Sequence, residues 1–160
     1  MRVLGLDLSS QCTGWAVLED GLTLKDYGIL DFASAPSKKE KLLLFEGMLS
    51  TVLNKHKPFD SIIIEDTFFG KNILTTKILN KFSGVAVVTC FKHSPTSVIA
   101  LIPVAALRST IFPKQKVDKE YVYRYICDRY KLTNVKNDVA DAIVAASFPY
   151  YRKVEIKWIQ

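Results

Sequence analysis

The strongest constraint on the fold is the run Ser61-Ile-Ile-Ile-Glu65, in which three isoleucines lead straight into a carboxylate. A short, unbroken β-branched run reads as a strand buried on both faces, the kind found inside a sheet covered by helices. A carboxylate ending such a strand is costly unless it opens into a cleft, meets a cation or binds a metal. The first apolar run, Arg2-Val-Leu-Gly-Leu-Asp-Leu8, repeats the form and carries Asp7 near its end.

Between these runs, Trp15-Ala-Val-Leu18 and Thr23 to Phe32 read as two further strands joined by the turn Glu19-Asp-Gly21. With the first run they make an antiparallel three-strand meander. Leu42, Phe45, Leu49, Val52 and Leu53 recur at helical spacing from Lys38 to about Lys55, and the pattern stops near Pro58. After Glu65 come a long helical pattern from about Asn72 to Lys92 and a strand-like stretch from Val98 to Val104. A basic, tyrosine-bearing helix from Lys116 to Tyr130 and an Ala-rich helix from Asp138 to Phe148, ended by Pro149, follow. The alternating tail Val154 to Trp158 has the pattern of an edge strand. The order predicts an α/β fold with a mixed central sheet, the antiparallel meander plus parallel strands, flanked by helices.

The chain has 160 residues, enough for one compact core and few for two, so residues 1–160 are expected to form a single domain. The formal charge of +6 favours a polyanionic partner. Neither a signal-peptide pattern nor a run of 18 uncharged apolar residues is present, which excludes membrane insertion from the expectation. Three cysteines without a CxxC pair argue against a disulfide scaffold or structural zinc and suit a reducing, cytoplasmic setting.

Asp7 and Glu65 would converge if their strands lie side by side. Asp138 and Asp141, at i, i+3 spacing, share one face at the N-terminus of the last helix, where negative charge is favoured. Four clustered carboxylates repel one another, and hard oxygen donors select Mg²⁺ or, in its place, Mn²⁺. Two such ions roughly 4 Å apart would suit phosphodiester hydrolysis. Taken singly, Asp7 at a strand end is more often a turn residue or cap, and Asp138 is most simply an N-cap following Asn137.

These residues resemble the RuvC family within the ribonuclease H-like fold. Gly5-Leu-Asp7 with Ser9-Ser10 and Thr13-Gly14-Trp15 looks like its opening strand and turn, Ile62-Ile-Ile-Glu65 like its second acidic strand, and Asn137-Asp-Val-Ala-Asp-Ala142 like its C-terminal motif. The resemblance implies an endonuclease that cleaves four-way (Holliday) DNA junctions, leaving 5′-phosphate and 3′-hydroxyl ends. It implies a homodimer, with two metal ions per active site held by Asp7, Glu65, Asp138 and Asp141. It places Phe68, with Phe69 adjoining it, near the branch point, and Lys71, which follows the family pattern where the long helix begins, among the DNA-binding residues. Arg108 and Lys119 fall near the scissile phosphate, with Lys114 and Lys116 as rivals, and Lys119 is the candidate for a catalytic cation. Small residues within Phe82-Ser-Gly-Val-Ala-Val87 would permit the close helix packing of the family's dimer interface.

Two positions depart from the family pattern. Leu8-Ser9 replaces the common Pro-Gly, which implies a different turn, and Asp66 replaces the common Gln, which adds a charge beside the site. A divergent member, with a phage as one source, is the expectation these raise. A broader branched-DNA nuclease, a ribonuclease H and a catalytically silent nucleic-acid or protein binding module are the competing readings. The last would be expected to have lost some of the acids.

Overall fold

The computed structural model describes residues 1–66 and 73–152. Strands β1 (Val3–Leu8), β2 (Cys12–Glu19) and β3 (Thr23–Asp31) form the meander, followed by α1 (Lys38–His56) and β4 (Ser61–Asp66). Then come α2 (Ile73–His93), β5 (Val98–Pro103), α3 (Val104–Ile111), α4 (Lys119–Tyr130) and α5 (Asn137–Tyr151). Among the described residues, five strands make one sheet in the order β3-β2-β1-β4-β5. β1 runs antiparallel to β2 and parallel to β4, and β4 runs parallel to β5.

Side chains alternate across a strand, so register decides which face each residue serves. Leu4, Leu6, Leu8, Ile62 and Ile64 face α1 and α2, where they pack with Phe45, Leu49 and Phe82. Val3 and Ile63 face the other way, against α5 and the helices behind it. Parity therefore sends Asp7 and Glu65 to the α5 face. The pairing of Leu6 with Ile64 makes them neighbours on adjacent parallel strands.

Helix α5 is buried along every residue from Val139 to Phe148, sandwiched between the sheet on one side and α3 and α4 on the other. Two glycines let it descend onto the strands. A Cβ on Gly5 would lie 2.0 Å from the carbonyl oxygen of Ala142, and one on Gly14 would lie 2.0 Å from that of Asp138. The start of α5 is thus seated on β2 and its middle on β1.

Several element boundaries differ from the sequence expectation, each for a local reason. The stretch after β5 turns into α3, which has only eight residues and Pro103, without a side-chain cap, before it. An apolar strand running into a two-turn helix gives no change of period to read. Helix α4 begins at Lys119 and not Lys116, because the Asp118 carboxylate accepts the Tyr121 N–H at 2.8 Å as an N-cap. Pro149 lies inside α5, which continues to Tyr151. In the last turn, proline forfeits one backbone bond and does not stop the helix. The tail from 154 to 158, expected as an edge strand, lies outside the described residues.

Candidate active site

The carboxylates come together where the C-terminal ends of β1 and β4 meet the first turn of α5. Asp7 and Glu65 are half-buried on neighbouring strands. Asp138 stands in the first turn of α5, with its backbone against Gly14, and Asp141 follows one turn later. Asp138 does not cap the helix. The N-cap position belongs to Lys136, which makes no side-chain cap bond, so the carboxylate of Asp138 is not spent on its own helix end.

Two cations reach into the cluster. Lys119, the first residue of α4, places Nζ 3.0 Å from Asp141 Oδ2, and Arg108 of α3 places a terminal nitrogen 3.6 Å from Asp141 Oδ1. The Asp141 side chain is only 6% exposed, so this is a buried charge that needs such partners. The Nε of Arg108 is buried without a hydrogen-bond partner among the described residues. That leaves the guanidinium a donor for another oxygen.

Electrostatics register the crowding. Burial, then the fields of Glu65, Asp141 and Asp138, push the Asp7 carboxyl up to about 8, with Lys119 opposing. Burial and the Asp141 charge push Glu65 up to about 7, with Arg108 and Lys119 opposing. Partial burial works against the charge on Lys119, yet its hydrogen bond to Asp141 and the surrounding carboxylates hold its pKa above the ordinary lysine value.

Because Asp7 and Glu65 titrate higher folded than unfolded, the native state binds more protons between about pH 4 and 8. The stabilisation is complete below the unfolded carboxylate values and disappears as pH rises through about 7 and 8. In chelator-treated buffer the melting temperature should therefore fall from pH 5 to pH 8.5, and the fall should flatten in the Asp7→Asn variant. Scanning calorimetry across that range checks it, and an equally steep wild-type and variant profile would place the cause elsewhere.

Among the described residues, no three His, Cys, Asp or Glu side chains form a ready-made metal cage, and Asp141 is turned towards its two cations. The donor set nevertheless suits hard divalent cations. It is all carboxylate oxygen, partly buried, and its mutual repulsion is the kind that positive charge relieves.

The remaining candidates divide. Lys116 shares with Arg108 a shallow hollow of about 290 Å³ beside α3, while Lys114 is exposed in the preceding loop with a left-handed backbone. Neither lysine makes an ion pair among the described residues. Phe68, Phe69 and Lys71 lie outside the described residues. Ser9, one of the departures from the family, organises the turn after Asp7. Its hydroxyl donates to the Cys12 carbonyl at 2.7 Å and accepts the Cys12 N–H at 3.1 Å. Asp66, the other departure, falls by alternation on the opposite face from Glu65. The contribution that sequence reasoning missed is that of Gly5 and Gly14. Both lie within the opening motif, but their effect appears only once α5 is seen to rest on them.

A mixed sheet in this order, with the acidic ends of two adjacent parallel strands facing a buried C-terminal helix, is the ribonuclease H-like architecture. The structure superposes on the Thermus thermophilus RuvC solved in complex with Holliday junction substrate with a TM-score of 0.80, at 16% identity, over 94% of this chain and 93% of that one. The family model for crossover junction endodeoxyribonuclease RuvC matches residues 3–147. The RuvC of Caldicellulosiruptor saccharolyticus is 29% identical over 152 residues, covering 91% of this chain and 90% of the relative. That of Nitratidesulfovibrio vulgaris is 30% identical over 160 residues, covering 91% and 88%. The chain belongs to the crossover junction endodeoxyribonuclease RuvC family. These relatives are bacterial, and the phage reading gains no support from them.

Proposed function

We propose that this protein is a divalent-metal-dependent endonuclease that cleaves four-way DNA junctions. Asp7, Glu65, Asp138 and Asp141 are its metal ligands, and Lys119 and Arg108 its phosphate-facing cations. What supports the reading is the mutual electrostatic influence of four carboxylates from β1, β4 and α5, with burial and repulsion raising Asp7 and Glu65. A silent binding module would have no use for so costly a cluster.

Two Mg²⁺ or Mn²⁺ ions held by these four acids would supply the positive charge that phosphodiester hydrolysis needs at the scissile phosphate. The chain's own residues do the rest. Lys119 offers Nζ hydrogens to a phosphate oxygen or to the departing 3′-oxygen. Arg108, whose Nε–H has no partner among the described residues, holds a non-bridging oxygen from the side of β5. Lys116 continues the positive surface away from Arg108. Asp141 links the two functions, since the carboxylate that would serve as a ligand also fixes both cations in place.

Paired nicking of a symmetric junction calls for two active sites, and the outer face of α2 supplies a surface for a second copy. Leu74, Val88 and Phe91 are exposed along it at 71%, 67% and 45%, with Gly84 between them. Of the small-residue stretch expected at the interface, Ser83 and Ala86 are buried and face inward, leaving Gly84 outward. By length and apolar composition α2 would also suit a membrane span. Phe82, Ala86 and Cys90 pack into the core, however, and exposed Lys77 and Lys81 interrupt the outer face. We therefore assign that face to a homodimer contact and treat residues 1–160 as one nuclease domain.

The test is a comparison of four substrates, a four-way junction, a replication fork, a flap and an RNA–DNA hybrid, each with Mg²⁺ and with chelator. Symmetric Mg²⁺-dependent nicking of the junction, faster than the others by at least about tenfold, is expected. Preferred cleavage of the hybrid would favour a ribonuclease H, and no cleavage of any would favour a binding module.

A further inference from the structure

Positive charge is disfavoured in the first turn of a helix, where the backbone dipole already presents a partial positive charge. Helix α5 follows that rule with Asp138, and in α4 the lone first-turn lysine, Lys119, is offset by Glu120 beside it and by the Asp118 cap. Helix α1 breaks it. Lys38 and Lys39 open the helix and Lys41 stands in the same turn. The single acid there, Glu40, is drawn into the cap, where its carboxylate accepts from the Ser37 hydroxyl at 2.6 Å. None of the three lysines forms an ion pair among the described residues. Local violations of this kind concentrate where a surface serves a ligand.

Their place in the fold gives the ligand. α1 starts at the same end of the sheet as the carboxylates, because β3 runs parallel to β1 and the chain passes directly from β3 into α1. Lys41 Nζ donates to Gln11 Oε1 at 2.7 Å, and Gln11 lies in the turn that follows Asp7. The Gln11 carbonyl accepts the Phe32 N–H at 3.1 Å, tying the loop before α1 to the same turn. A hollow of about 240 Å³ lies between them, with Lys38 and Lys41 among its lining residues. Lys136, immediately before α5, stands on this side too, with Nζ 3.8 Å from the exposed Asp31. Arg108 and Lys119 flank the carboxylates from the opposite side, on the helices that follow β5.

We propose that Lys38, Lys39 and Lys41, with Lys136, form a second phosphate-contact surface on the β3 side of the active site. It grips the sugar-phosphate backbone of a junction arm distant from the strand being cut. The proposal rests on the nuclease reading. It divides the work between cations beside the scissile phosphate, which act on the reaction, and the α1 lysines, which act on affinity alone. Contacts of this kind carry no sequence information and position the duplex through counterion release.

The experiment measures binding of a labelled four-way junction, without divalent metal, as a function of salt for the wild type, the Lys38→Glu/Lys39→Glu double variant and Lys57→Glu. Lys57 follows the other end of α1, where its Nζ bonds Asn54 Oδ1. Acidic residues in the first turn favour the helix, so the double variant is expected to fold at least as well as the wild type. The slope of log affinity against log salt should become shallower by about 2, with affinity near physiological salt about tenfold weaker. Cleavage at saturating enzyme should keep the wild-type rate, and Lys57→Glu should bind as the wild type does. Unchanged affinity and slope in the double variant, or an equal loss in Lys57→Glu, would overturn the second surface while leaving the nuclease reading intact. A wild type that neither binds nor cuts the junction would overturn both.

Discussion

Glu65→Gln and Asp7→Asn are each expected to lower Mg²⁺-dependent junction cleavage by at least about 10³-fold while binding the junction with nearly wild-type affinity. Both substitutions preserve side-chain shape and remove one negative charge, so a loss of rate would come from chemistry and not from packing. Stability supplies an independent sign. If Glu65 or Asp7 were an ordinary structural acid held by a cation, neutralising it would strand that partner and destabilise the fold. Here burial and repulsion raise both groups, so neutralisation relieves strain. In chelator at pH 8 each variant should melt about 5 °C or more above the wild type. Added Mg²⁺ should narrow the gap by stabilising the wild type alone. Rate and thermal stability measured on the same preparations check both signs. A variant that melts lower and still cleaves would return the carboxylate to a structural role.

The second large effect concerns the glycines beneath α5. Gly5→Ala places a methyl where backbone atoms of Ala142 and Ala146 already lie, at 2.0 and 2.4 Å, and a buried helix cannot yield there by rotating a side chain. The strand or the helix must move, and the expected cost is about 3 kcal/mol or more. Gly14→Ala meets the backbone of Asp138 at 2.0 Å, at the start of α5, which has more freedom to shift. The protein should remain folded, but displacement of Asp138 by about 1 Å should lower cleavage by about 10²-fold. Gly47→Ala on α1 is the control, since a Cβ there has nothing within 4 Å and a helical position gains about 0.5–1 kcal/mol. Denaturant unfolding and cleavage rates for the three variants decide the matter. Wild-type cleavage by Gly14→Ala would mean that the seating of α5 does not position the acids.

Much of this architecture was legible in the amino-acid order because the period of each segment was unambiguous. The isoleucine run before Glu65 reads as a buried strand, and the spacing from Leu42 to Leu53 as a helix with one apolar face. Parity then decided the site. Asp7 follows Leu6 and Glu65 follows Ile64, so once these strands pair in register the two acids must share a face. The pairing itself is tertiary information, and the sequence offered it only as a condition. Helix α3 escaped notice because it begins without a polar cap and is two turns long. Arg108 could therefore be placed near the phosphate only by resemblance, without the helix that aims it. The glycines lay in the opening motif, but their purpose depends on which helix lies above them, and that partner is more than a hundred residues away along the chain. Only the fold brings the first turn of α1 beside Gln11, where Lys41 meets the turn that follows Asp7.

The nuclease reading depends on cations relieving the crowding of the four acids. Titrating Mn²⁺ by calorimetry into the protein bound to a junction whose scissile linkage resists cleavage measures that directly. Two ions per chain should bind to the wild type, with one or both lost in Glu65→Gln and Asp7→Asn. A wild type that takes up no Mn²⁺, or variants that bind as many ions with equal affinity, would contradict the account.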